Sequence, residues 1–495
     1  MGGRRKFNRW LGAGVLTAWG LCQPAGVLAQ IVVTGVTDKS TYVDQATFTI
    51  TQTAGWNYGA NLDAVPVPVG VAVPVGTVDY HELFVTRTNN STSAVETLRL
   101  RFVIRAAARA DTENGLPPWT PPRLIPSSPA EFVGAQLQII TPAAFPTNVP
   151  IPVVAWALNG QGHAVRANGS LISPGHPAIV VKRGVGSGFL GANNPPGLLD
   201  YAVSLAGWQT NRGIVLETNT AWQSVAGTLN GHTVWPANSR LHVTNRLTIP
   251  AGSSLVIGAG TLVRLASRAD IKLDGAMAIN GTVDQPVVFF PANPAQPWGG
   301  FLLEVNSSQL IATGTIFTGS GADANWFGSN GRPGSHRREQ ALFYCTNAPT
   351  LTLTDCAAIY LAGQLGHGVN GGTVTLTRFL MQRATSGGEF TGAHFVMNDC
   401  ALIECPDDST DFVDGDNDAI YFVNGTHGFT NTLFGWTKDD GVDSGGSGAG
   451  LLEFQNCWFE SIFHEGNSLS GNAKIVNHHQ SVFLNCGQGL ESGYE

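Results

Sequence analysis

Hydrophobic and polar positions alternate with a period of two over many short stretches of this chain, the pattern of strands buried on one face. Ala46-Thr-Phe-Thr-Ile-Thr51 and Leu98-Arg-Leu-Arg-Phe-Val-Ile104 carry it early, and Pro/Gly-rich segments such as Val65-Pro-Val-Pro-Val-Gly70 punctuate it. Residues 30–110 therefore read as an Ig-like β-sandwich module. The run Leu116-Pro-Pro-Trp-Thr-Pro-Pro122 and the prolines up to Pro129 predict a stiff linker over 111–129. Val153-Val-Ala-Trp-Ala157 and Ala178-Ile-Val-Val-Lys182 point to strands of a second β module over 130–231.

From His232 the alternation tightens and recurs. Leu351-Thr-Leu-Thr-Asp-Cys356, Val374-Thr-Leu-Thr-Arg-Phe379 and Phe395-Val-Met-Asn-Asp-Cys400 align, their last residues 23 and 21 apart. Four later stretches repeat as well: Asp418-Ala-Ile-Tyr-Phe422, Asp440-Gly-Val-Asp-Ser444, His464-Glu-Gly-Asn-Ser468 and Gln488-Gly-Leu-Glu-Ser492, with starts 22, 24 and 24 residues apart. A period in the low twenties holds three short strands and three turns, so residues 232–495 are expected to wind into a right-handed parallel β-helix. Equivalent side chains would then stack about 4.8 Å apart. The last repeat has no polar cap or closing helix, so the stack is expected to continue beyond Glu495, into a further C-terminal domain or a partner.

The opening of this region also carries a family resemblance. Leu247-Thr-Ile-Pro-Ala-Gly252, the glycine turn within Leu255–Leu265, Asn280-Gly-Thr282 followed by Gln285-Pro-Val-Val-Phe-Phe290, and Trp298-Gly-Gly-Phe301 occur in that order. The order resembles the first coils of bacterial secreted β-helix proteins of the pectin-lyase-like superfamily. That resemblance implies the fold of 232–495 and leaves activity open, because many functions share this scaffold.

Composition narrows the surroundings. Net charge is −8, charged residues make up only 13%, and Gly 61 and Pro 27 favour turns. No basic run follows the first ten residues, which argues against nucleic acid as a partner. Arg4, Arg5, Lys6 and Arg9 precede an apolar run from Trp10 to Leu21, and Val27-Leu28-Ala29 offers a cleavage site, so residues 1–29 read as a signal peptide. The protein is then secreted, to periplasm, cell surface or medium, with no membrane span after the signal. Cys356, Cys400, Cys457 and Cys486 each follow Asp or Asn and read as one coil position used repeatedly, a small thiol stacked inward.

Candidate chemistry lies in the last coils. In the four-repeat alignment Ile420, Val442, Gly466 and Leu490 face the core, while Tyr421, Asp443, Asn467 and Glu491 form an outward file, flanked by the Glu465 position. Stacked carboxyls raise one another's pKa and favour an acid beside a base, as glycoside hydrolysis requires. Asp440 and Asp443 are the expected acid/base carboxyls, with His464 or Glu465 assisting. Tyr421, Asn467, Glu491 and Lys438 are the expected substrate contacts, Lys438 being the basic residue nearest the acidic pair. Asp414, Asp416 and Asp418, alternating with Gly415 and Asn417, form an oxygen-rich segment suited to Ca2+; no organic cofactor is implied. Gly366-His-Gly368 and Asp439-Asp440 are similar to elements of polygalacturonase-like glycosidases, but in the opposite order, and His367 reads as a loop residue. The resulting expectation is recognition or processing of an extracellular polysaccharide on the outer face of coils 418–495, by a polysaccharide lyase or glycoside hydrolase if catalytic. Its rival is a non-catalytic surface or structural module of a larger secreted protein.

Overall fold

A computed structural model describes residues 31–105, 136–405 and 416–494, apart from short breaks at 39, 64, 78, 192–194, 206–207, 219, 330–335 and 471–473. The expected signal peptide, the proline-rich linker and Asp414 lie outside the described residues. Among those described, no helix is long and apolar enough to cross a membrane.

The protein is nearly all β. Residues 31–105 form two facing sheets. One holds Val33–Thr34, Ala46–Ile50 and Ala72–Val75; the other orders Ser40–Val43, Val95–Arg105, Asp79–Asn89, Trp56–Leu62 and Val65–Pro66. Their alternate residues Phe48, Ile50, Leu83, Val85, Phe102 and Ile104 are fully buried between them. This is the period-two pattern of the sequence converted into a sandwich core.

A single 28-stranded sheet then runs from Gln223 to Tyr494, opening at Gln223 rather than at His232. Each strand pairs in parallel with the strand one coil away, so the sheet closes into a β-helix with three faces. Face I includes Leu255, Met277, Leu310, Leu351, Val374, Phe395, His427, Leu452 and Val476 in one register column. Its outward neighbours include Thr352 and Thr375. The interior is filled by like-on-like stacks: Phe429, Phe454 and His478 rings lie 4.7 and 4.4 Å apart, and Phe434, Phe459 and Phe483 rings 5.2 and 4.5 Å. His478 thus faces inward while its neighbour His479 is exposed.

The turns follow a simple rule. Between faces I and II, Asp355, Arg378, Asp399, Asn431 and Asn456 all have positive φ. The residues after three of them, Cys356, Cys400 and Cys457, tuck inward, each thiol facing backbone carbonyls. Cys486 does not belong to this file. It follows Asn485 at the corner between faces II and III, where Cys405 also sits, so these five cysteines form two columns instead of one, while Cys345 lies in the face III strand Ala341–Thr346. All six are free thiols.

Face II is covered. Residues 136–217 fold into small sheets, Gln136–Ile140 with Ile151–Leu158 and Val185–Leu190, and Ala144–Pro146 with Gly197–Leu205 and Trp208–Glu217. They share a core with the outward residues of face II: Leu262, Val288, Ile316, Leu380, Ile403 and Leu433. The II–III corner supplies the polar fastening. Tyr360, Arg383, Glu404 and Trp436 adopt positive φ there, which is costly for bulky side chains. Phe189 packs on Tyr360 at 4.6 Å, Lys182 pairs with Glu404 and lies over Trp436, and buried Arg183 pairs with buried Glu460 at 2.6 Å. Burial opposes ionisation of Glu404, but Arg383 and Lys182 outweigh it and hold the carboxyl down at about 2.

Candidate functional site

With the core inside and face II covered, the longest outward file of titratable groups lies on face III. Its outward register column reads Leu302, Tyr344, His367, Glu389, Tyr421, Asp443, Ser468 and Glu491. The file is split by an insertion between Thr318 and Ala341. Its short helix Trp326–Ser329 lays Trp326 and Phe327 over Leu302 and Tyr344, making a small dry cluster of its own. His367 lies under Phe327 at 4.6 Å, parallel to the Tyr344 ring. It is a buried strand residue, not a loop residue, and neither ring nitrogen has a hydrogen-bond partner. Burial, with help from His336, pushes it down to about 4, so it is neutral at physiological pH. Gly366 and Gly368 flank it because a Cβ there would come within 2.3 and 2.6 Å of the Phe390 ring.

Below that dry patch the file turns polar. The returning arm of the insertion places His336 over Tyr421, ring centroids 4.6 Å apart. The His336 backbone N–H donates to Glu389 Oε2 at 3.0 Å, and its Nδ1 lies 3.6 Å from Asp416 Oδ1. Arg337 donates to Asn417 Oδ1 at 3.3 Å. Desolvation raises the pKa of Glu389 and of Tyr421.

Beside the file, at the II–III corner, carboxyls climb from coil to coil. Asp418 Oδ1 accepts the Asp440 N–H at 3.1 Å, Asp440 Oδ1 accepts the Glu465 N–H at 2.9 Å, and Gln488 donates to Glu465 Oε1 at 2.8 Å. A parallel set runs through Asp439: its Oδ2 accepts the Asp416 N–H at 2.9 Å and its Oδ1 lies 2.9 Å from His464 Nδ1. Asp418, Asp439 and Asp440 are buried, whereas Asp443 and His464 are partly exposed. So many carboxyls in a dry corner cannot all ionise. Desolvation first, then mutual repulsion, raises Asp418; desolvation, contact with Glu465 and the neighbouring aspartates push Asp440 up to about 10. Asp443 rises to about 7, burial and Asp439 outweighing the Ser444 and Ser468 hydrogen bonds.

The expected residues thus separate. Tyr421, Asp443 and Glu491 share the outward file, and Asp440, His464 and Glu465 stand along its edge. Asn467 does not join them: it pairs with Val442, not Asp443, and is fully buried with its amide donating to the Val442 carbonyl at 2.8 Å. Ser468 takes the outward position instead, because the coil from Asp443 to its partner is one residue longer than the repeat alignment assumes. Lys438 is buried at the corner rather than displayed on the file. Asp416 and Asp418 are turned to different partners, His336 and the Asp440 N–H. Sequence reading missed Glu389 and His336. Extending the register one coil back would have found Glu389, since Gly388-Glu-Phe390 aligns with Ile420-Tyr-Phe422; His336 sits in an insertion that follows no period.

No family model and no curated protein matches the sequence. Among solved structures, the fibronectin(III)-like modules of Clostridium thermocellum CbhA cover 38% of this chain and 95% of their own at 6% identity and a TM-score of 0.15. Domains 5–6 of the S-layer protein SbsC cover 39% of this chain and 99% of their own at 12% identity and a TM-score of 0.14. At such TM-scores neither likeness carries an argument.

Proposed function

We propose that the lower half of face III recognises an extracellular polysaccharide and processes it, within a β-helix of the pectin-lyase-like kind. The observation that carries this reading is the single file Glu389–Tyr421–Asp443–Ser468–Glu491, stacked at coil spacing on the outward side of face III, with Glu389, Asp443 and Glu491 partly exposed and Tyr421 and Ser468 buried between them. Sugar rings repeat along a chain much as these groups repeat along the rod. Carboxyls match sugar hydroxyls, and the exposed His336 ring, seated on the buried Tyr421, gives a ring surface beside them. Asp443 is the group on the file placed to exchange a proton with a glycosidic oxygen, and a carboxyl titrating near 7 is suited to that work. Burial and Asp439 raise its pKa, while His336 and the Ser444 and Ser468 hydrogen bonds oppose them.

One observation favours the rival, a non-catalytic surface module. Asp418, Asp439 and Asp440 each cap a backbone N–H of another coil, a structural use of carboxyls. The two readings part in one assay. The protein is incubated with neutral and uronate polysaccharides while reducing ends and unsaturated products are followed. Loss of activity by roughly 10²-fold or more in Asp443→Asn supports catalysis. Binding of a polymer without turnover, unaltered in Asp443→Asn, would leave the module.

A further inference from the structure

We infer that the II–III corner beside Asp443 is a binding site for a divalent transition-metal ion, held by Asp439, Asp440 and His464. One ligand atom from each of these three residues lies within 4.8 Å of the other two. The Asp439 Oδ1 to His464 Nδ1 edge is 2.9 Å. Metal–ligand bonds of about 2.0–2.2 Å set ligand atoms roughly 3 Å apart, so that edge needs little change to admit an ion.

The ligands are also oriented in advance. Asp439 is steadied through its other oxygen by the Asp416 N–H, and Asp440 by the Glu465 N–H. Backbone donors of this kind fix the carboxylates as outer-shell partners do in metal centres. His464 keeps part of its surface open, which gives an ion a way in.

A second observation, separate from this triad, also favours a cation in the corner. Asp443 Oδ1 has no solvent access and no hydrogen-bond partner, although Asp443 borders Asp439 and Asp440 closely enough to repel both. A buried carboxylate oxygen without a partner is costly to leave so. A water bound to an ion in the corner would supply its partner.

The donor set selects the class of ion. Calcium takes six to eight oxygens, whereas one imidazole and two carboxylates suit Zn2+, Co2+ or Mn2+. The site therefore lies one coil beyond the acidic segment that contains Asp416 and Asp418, and it differs from that segment in metal preference. It stands apart from the polysaccharide reading, since a metal can occupy the corner whether or not a polymer lies on the file.

The test uses the full chain. Co2+ is titrated while its visible absorption is recorded, then displaced with Zn2+, and Ca2+ is titrated separately by calorimetry. The expected result is one equivalent of Co2+, displaced by Zn2+, with Ca2+ at least 100-fold weaker. His464→Gln and Asp439→Asn should each weaken Co2+ binding at least tenfold, while His479→Gln, an exposed histidine on face I, should not. His464 is partly exposed, so its variant keeps the test valid if the Asp439 variant does not fold. Absence of Co2+ and Zn2+ binding, unaltered binding in His464→Gln, or Ca2+ binding as tight as Zn2+ would each overturn the assignment.

Discussion

Replacing His367 by Phe should make the protein more resistant to acid. His367 is fully buried between Tyr344 and Phe327, and both ring nitrogens lack partners. In the unfolded chain its imidazole titrates near 6.5; in the fold, desolvation holds it at about 4. Between those values the unfolded state binds a proton that the folded state refuses. Stability is therefore complete above pH 6.5 and drains away as pH falls toward 4. Linkage puts the loss from this one group at about 2–3 kcal/mol at pH 4.5, relative to pH 7.5. Phe keeps the ring stack and cannot take up a proton, so His367→Phe should lack that share of the loss. The assay is urea unfolding at both pH values, comparing the change in midpoint of wild type and variant. Every other titrating group is common to the two proteins and cancels in the difference. Parallel losses would refute the reasoning, and would mean that the dry cluster over His367 opens to water before the protein unfolds.

Two further outcomes follow from the fold. Arg183→Met strands the buried Glu460 carboxylate and should cost about 3–5 kcal/mol, whereas Arg183→Met with Glu460→Leu should recover most of it, both read by chemical denaturation. Gly388→Ala should destabilise by on the order of 3 kcal/mol or more, measured the same way, because the backbone there has φ +96° and a Cβ would fall 1.7 Å from the Gly366 carbonyl oxygen.

The winding was legible because Leu351-Thr-Leu-Thr354 and Val374-Thr-Leu-Thr377 show one face in and one face out, the signature of a wall open to water on one side. The lateral cover left a fainter mark. Val287-Val-Phe-Phe290 and Ala401-Leu-Ile403 are apolar at both parities, as strands buried on both sides are, yet nothing in them says what lies on top. The candidate site was legible only in part, since Asp443 and Tyr421 fall in the repeat by their spacing. Asn467 was misplaced by one position because an extra residue at a turn leaves no trace in an alternation, and one residue is enough to turn a side chain from outside to inside. His336 reaches the file from an insertion, where tertiary packing alone decides position.

Stacked coils usually melt from their ends, each turn leaning only on its neighbours. Here residues 136–217 lie lengthwise against successive coils and are riveted to them from Tyr360 to Glu460. A spine of that kind ties distant turns to a common fate, so fraying of one coil is resisted by every other coil that the spine grips. The rod should lose its order in one broad cooperative step where a bare one would unravel.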